Sequence, residues 1–120
     1  MAMNSNSPIN YAIDDATYVV VFNATLTSEQ TGYRAASKLL AGRVKKYPGF
    51  ILEESFSDGD RTISVTYWRD LESIRSWRED PEHKSIQAEA VKRWYLAYSV
   101  FVCEVSRAYE FPGPKARHAS

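Results

Sequence analysis

The stretch GFILEESFSDGDRTISVTYW, residues 49–68, carries Asp58-Gly59 between two runs rich in β-branched and aromatic residues. Asp-Gly tolerates the left-handed backbone of a tight hairpin turn, so the two runs are expected to pair antiparallel through a short loop. Ahead of this pair, TYVVVFNATL reads as a buried strand ending at Thr27 or Ser28. Next comes TSEQTGYRAASKLLAGRVKKYPGF, with Tyr33, Ala36, Leu40, Val44 and Tyr47 at spacings of three and four. That is an amphipathic helix, with a Ser or Thr as its expected N-cap and Pro48-Gly49 as its stop.

Behind the hairpin, RDLESIRSWRED puts Leu71, Ile74 and Trp77 on one helical face, and Pro81 then interrupts the hydrogen-bond ladder. Asp80 is suited to cap a second helix with Pro81 at its first position, and Ile86, Ala90 and Trp94 continue an apolar stripe. The run YLAYSVFVCEVSRAYEF reads as a long final strand whose imperfect alternation suits cover on both faces. The order β-α-β-β-α-β is the ferredoxin-like α+β arrangement, an antiparallel sheet with helices on one face only. The other face then needs a partner, and a sheet-to-sheet homodimer is the expected solution. Residues 17–111 form the expected domain, flanked by a polar tail over 1–16 and a second tail, PGPKARHAS, over 112–120.

Charge narrows the choice of partner. Fifteen basic and fifteen acidic side chains cancel, with a pI near 6.7, so no broad field gathers nucleic acid or an anionic membrane. No apolar run is long enough to cross a bilayer, and MAMNSNSPINYAIDDA has neither the basic start nor the apolar stretch of a secretory signal. The cytoplasm is the default compartment. A lone Cys103 inside an apolar run rules out an internal disulfide and is expected to be a buried, inert thiol. His83 and His118 lie far apart with no Cys/His spacing around them, so no metal site is expected; the scattered glycines form no phosphate-binding loop.

Chemistry is then left to a few side chains. His83, at the third position of the restarted helix, is expected to be a neutral imidazole, because helix-start amides disfavour a cation there. Neutral imidazole can accept a phenolic proton, although the same residue can simply complete the cap beside Trp77. Trp68, Trp77 and Trp94 offer flat stacking surfaces, or core and interface packing. Asn23 interrupts an apolar strand, and a buried amide needs partners or a ligand. Arg107, on the last strand, suits an ion pair at a dimer interface.

The run TYWRDLESIRSWREDPEHKSIQ followed by RWYLAYSVFVCEVSRAYEF resembles the antibiotic biosynthesis monooxygenase family of dimeric α/β barrels, over about Tyr18 to Phe111. The residues carrying the likeness are Tyr67-Trp68, Trp77-Arg78, Asp80-Pro81-Glu82-His83, Gln87, Trp94-Tyr95, Val105, Arg107 and Tyr109. The resemblance implies oxygenation of a polycyclic aromatic phenol with no cofactor, neither metal nor flavin, the electron-rich substrate itself reducing dioxygen. Related barrels degrade heme with an Asn, a Trp and an iron-ligating His. Asn23 and Trp77 fall at the first two of those places, whereas Gln87 holds the ligand's place and His83 lies one turn earlier. Ala90 and Val91 replace a Gly-Arg pair of the subfamily, so no contact is carried over from them.

The leading expectation is a cofactor-independent monooxygenase of an aromatic small molecule, working in a pocket between sheet and helices. Asn23 would orient substrate or dioxygen, Trp77 would stack and His83 would move a proton, with Trp68, Trp94 and Gln87 lining the pocket. The rival is a non-catalytic barrel that binds a small apolar ligand, and a third reading is heme degradation.

Overall fold

The structure is a computed structural model and describes residues 15–111. The expected tails over 1–16 and 112–120 therefore lie almost wholly outside the described residues, as does His118. Strand β1 (Tyr18–Leu26) leads into helix α1 (Tyr33–Arg43) and a 3-10 turn at Val44–Lys46. The hairpin follows as β2 (Phe50–Asp58) and β3 (Arg61–Trp68), then α2 (Leu71–Arg78), α3 (Pro81–Arg93) and β4 (Tyr95–Glu104). The sheet order is β2-β3-β1-β4, antiparallel throughout, so the fold is ferredoxin-like α+β. No helix among the described residues is long and apolar enough to cross a membrane.

Local chemistry places most of the boundaries. Gly59, with φ 63°, turns the hairpin at the expected Asp-Gly. Asp70 caps α2 by accepting the Ser73 N–H at 2.7 Å, and Asp80 caps α3 with Pro81 as its first residue. The start of α1 differs from the expectation of a Ser or Thr cap. Gly32 holds that position with φ 88° and no side-chain cap. The preceding Thr31 carbonyl accepts hydrogen bonds from Trp94 Nε1 at 3.0 Å and from Arg93 at 2.9 Å, which ties the entrance of α1 to the far end of α3.

Alternation along β1 assigns the two faces of the sheet. Phe22 meets Tyr95 at 5.4 Å between ring centroids, and Tyr95 meets Tyr33 of α1 at 6.1 Å, so the Phe22 side faces the helices. Ala24 and Leu26 share that side and are buried. Trp68, opposite Tyr18 in the register, also shares it and is only 1% exposed, its ring edge-on to Phe50. The other face carries Val19, Val21, Asn23, Val65, Tyr67 and Phe101.

Strand β4 departs from the sequence expectation in three ways. It ends at Glu104, so Arg107 lies beyond it in an exposed segment without regular structure. It is an edge strand, and Leu96, Tyr98, Val100, Phe101 and Val102 are all exposed in the single chain. In the single chain its residues are thus exposed on both sides of the sheet, whereas the sequence suggested cover on both faces. Cys103, expected to be buried, is exposed for the same reason.

Candidate functional site

The break between α2 and α3 is where the chain concentrates its polar chemistry. Asp80, 3% exposed, sits in the gap left by the end of α2 and the start of α3. Its Oδ1 accepts the backbone N–H of Glu82 at 3.0 Å and of His83 at 3.1 Å, together with Arg43 Nε at 2.7 Å. Its Oδ2 accepts the Tyr47 hydroxyl. Arg43, ahead of desolvation, is what sets the charge state, and the carboxyl is held well below the usual carboxylate range. The Arg43 and Tyr47 groups are pushed upward by the same contact.

His83 lies flat on Trp77, with ring centroids 4.1 Å apart and planes inclined by 12°. Its Nδ1 is 3.0 Å from the Trp77 carbonyl. A carbonyl oxygen has no proton to give, so Nδ1 carries the hydrogen and the lone pair of the neutral ring stays on Nε2. Burial pushes the imidazole pKa down, opposed by the Trp77 carbonyl and by Asp80. The neutral ring expected at this position follows, but from desolvation: the amides that would repel a cation are already bonded to Asp80. Tyr47 completes the group, its ring edge-on to Trp77 at 5.5 Å.

One turn along α3 from His83, Gln87 reaches a crevice between α1 and α3 that is also lined by Tyr33, Leu40, Ile86, Trp94 and Tyr95. Its free volume is about 20 Å³, room for about one water. The Tyr95 hydroxyl is pushed well above its ordinary value, first by burial and then by Tyr33, so this wall presents a neutral phenol. Phe22, Tyr95 and Tyr98 extend the aromatic surface across the sheet, with centroids 5.4 to 5.7 Å apart. Tyr33 and Tyr95 were legible only as apolar-stripe and strand residues; nothing local in the sequence marks them as a phenol pair.

The sequence candidates therefore part company. Trp77 and His83 are in contact, and Gln87 and Trp94 line the neighbouring crevice. Trp68 is packed in the core against Phe50, beside the Tyr18 end of β1, its Nε1 satisfied by Thr66 Oγ1 at 2.8 Å. Asn23 lies on the face away from the helices, in an open groove of about 230 Å³ with Phe56, Asp58, Arg61 and Ile63. It does not converge on Trp77 and His83. The reason is the pleat: Ala24 turns its side chain into the core, which sends Asn23 outward. Among the described residues there is no group of three or more His, Cys, Asp or Glu able to hold a metal ion.

Comparison with known proteins agrees with this architecture. The chain is 32% identical over 91 residues to YqjZ, an uncharacterized protein of Bacillus subtilis (strain 168), covering 75% of this chain and 80% of that one. Among solved structures, Rv0793 from Mycobacterium tuberculosis superposes with a TM-score of 0.70 at 11% identity, over 79% of this chain and 100% of that one. SnoaB, a cofactor-independent oxygenase from Streptomyces nogalater, does so with a TM-score of 0.66 at 12% identity, over 78% and 96%. At those identities the structural likeness speaks for the fold alone. Residues 17–89 match the antibiotic biosynthesis monooxygenase family along a continuous segment from β1 into α3, including Trp77, Asp80 and His83, and the chain belongs to that family.

Proposed function

We propose that the protein is a monooxygenase that acts, without metal or flavin, on an aromatic small molecule of the phenol or quinol type. The observation that carries this reading is the Trp77–His83 pair, a flat indole against an imidazole whose Nδ1 is committed to the Trp77 carbonyl. That arrangement leaves Nε2 as a base beside a stacking surface. Family membership and the cofactor-independent oxygenase among the structural relatives support it.

In this scheme His83 Nε2 removes a proton from the substrate, and the resulting electron-rich anion reduces dioxygen. For an anthrone-like substrate the ring CH₂ becomes C=O: one oxygen atom enters the carbon, and the other leaves as water with the two hydrogens lost. Trp77 stacks on the substrate, while Gln87 and Trp94 contact its far end. A ligand of several rings needs a few hundred Å³, so binding parts α1 from α3 to open the crevice. Asn23, which faces the other way, has no place in the scheme, and neither has the packed Trp68.

The sheet face opposite the helices is covered, in this proposal, by a second copy of the chain. Val19, Val21, Val65 and Phe101 form a continuous apolar face there, and Phe101 is 57% exposed in the single chain.

Oxygen uptake under air, with anthrone-like and quinol substrates and no added metal, flavin or nicotinamide, tests the chemistry. Turnover is expected, and His83→Ala should slow it by about two to four orders of magnitude. Equal rates for folded His83→Ala and wild type on an accepted substrate would sink the assignment of the base.

A further inference from the structure

We infer that Asp80 is the positioning residue of this site, holding His83, by way of Tyr47 and Trp77, in the tautomer that leaves Nε2 as the base. The contacts form a closed circuit. Asp80 Oδ2 holds the Tyr47 hydroxyl, Tyr47 sets its ring edge against Trp77, and Trp77 lies flat under His83. The Trp77 carbonyl then accepts both the Asp80 N–H at 3.1 Å and His83 Nδ1–H at 3.0 Å, while Asp80 Oδ1 returns to the His83 backbone N–H at 3.1 Å. Three segments of the chain meet in this circuit: the turn after α1, the end of α2 and the start of α3.

A cap alone does not need such a circuit. Asp80 would satisfy the amides of Glu82 and His83 with its Oδ1 and no second oxygen, yet Oδ2 is directed at Tyr47, whose ring touches the residue that His83 rests on. Asp80 is the charge that acts on the ring, with Arg43 paired to it and Glu82 next to His83 in the chain, while the Glu79–Lys84 pair at 3.2 Å is exposed. Charge thus reaches the imidazole mainly through the same carboxylate that positions it, and desolvation outweighs that carboxylate in setting its protonation.

The inference deepens the proposed role of His83 and rests on it for function, but its test does not need turnover. Long-range ¹H–¹⁵N correlation of the imidazole nitrogens reports tautomer and protonation directly. Replacing His118, the other of the two histidines, by Gln leaves His83 as the sole signal. The His118→Gln chain should show one tautomer, protonated at Nδ1, titrating below the ordinary histidine value. Adding Tyr47→Phe keeps both the cap and the edge-on ring and removes only the hydroxyl link. It should admit the Nε2–H tautomer and shift the midpoint upward, because a looser ring gains solvent. Asp80→Asn, which still offers an oxygen to the helix amides, should also mix the tautomers. A single Nδ1–H tautomer surviving in both variants would overturn the inference and leave Asp80 a cap. The two readings fail separately. Tautomer mixing without oxygen uptake removes only the oxygenase, and oxygen uptake lost in His83→Ala with a single Nδ1–H tautomer in both Tyr47→Phe and Asp80→Asn removes only the positioning role.

Discussion

Gly49→Ala tests how tightly α2, and with it Trp77, is held against the sheet. A Cβ built at Gly49 would lie 2.5 Å from Ser73 Oγ, 2.6 Å from Asp70 Oδ2 and 2.7 Å from Ser73 Cβ. None of these atoms is the free end of a long side chain. Ser73 is buried and its Oγ accepts the Gly49 N–H at 2.9 Å, while Asp70 is the cap of α2 and Gly49 O accepts the Arg69 N–H at 2.7 Å. Relief requires the first turn of α2 to move away from the start of β2. Overpacking of this kind costs about 1–3 kcal/mol, and breaking a buried hydrogen bond adds about 1–3 kcal/mol. The two overlap, because Ser73 loses its bond by moving, so about 2–4 kcal/mol is expected. Urea denaturation followed by tryptophan fluorescence, at fixed chain concentration, measures it. Gly42→Ala is the matched control: it lies in the last turn of α1 with nothing within 4 Å of the added carbon. There the gain in helix propensity should stabilise by about 0.5–1 kcal/mol. If Gly49→Ala falls within about 0.5 kcal/mol of wild type, the close packing of α2 on β2 has been misread.

Acid should weaken the fold in two stages. His83 has a lowered folded pKa, so its contribution is complete well above 6.5 and declines as pH falls through that unfolded value. Asp80 is also lowered, so its share is present above the unfolded carboxylate value of 3.8 and is lost only as pH drops further toward its folded one. Calorimetric Tm should fall from pH 7.5 toward 3, and His83→Gln should flatten the upper part alone; a flat wild-type profile contradicts both assignments. For the open sheet face, light scattering at micromolar concentration should give the mass of two chains, and Phe101→Glu should give one; a folded wild-type monomer would remove the second copy from the proposal.

What the sequence made legible was local chemistry. Asp58-Gly59 and Asp80-Pro81 act within a few residues of themselves, and both sit where their own stereochemistry puts them. The capless start of α1 was beyond reach because the groups that bind Thr31, Trp94 and Arg93, come from the end of α3. Tyr47 was visible as a member of an apolar stripe, but its hydroxyl partner lies across the fold on Asp80. Strand alternation separates Asn23 from its neighbours without saying which side will be roofed by helices; the packing of Ala24 and Phe22 decides that. In the same way, the apolar composition of β4 suggested cover on both faces, and only its place at the sheet edge shows that this chain leaves them exposed. His83 and Trp77 were legible because six residues joined by a helix break keep them close in any arrangement of the rest.

The middle position of β1 also bears on how the sheet comes into being. Among the described strands it is the first to be synthesised, yet its neighbours are the third and fourth of them, and its register joins Tyr18 to Glu104. While the hairpin of β2 and β3 can close within its own twenty or so residues, the Val-Val-Val-Phe run of β1 emerges from the ribosome with neither flank available. Contacts this distant along the chain set the pace of folding. Until β4 arrives, one edge of this apolar strand stays open to strands from other nascent chains. Substitutions that delay β4 docking should therefore show first as lost soluble yield during expression, before any change in the stability of the molecules that do fold.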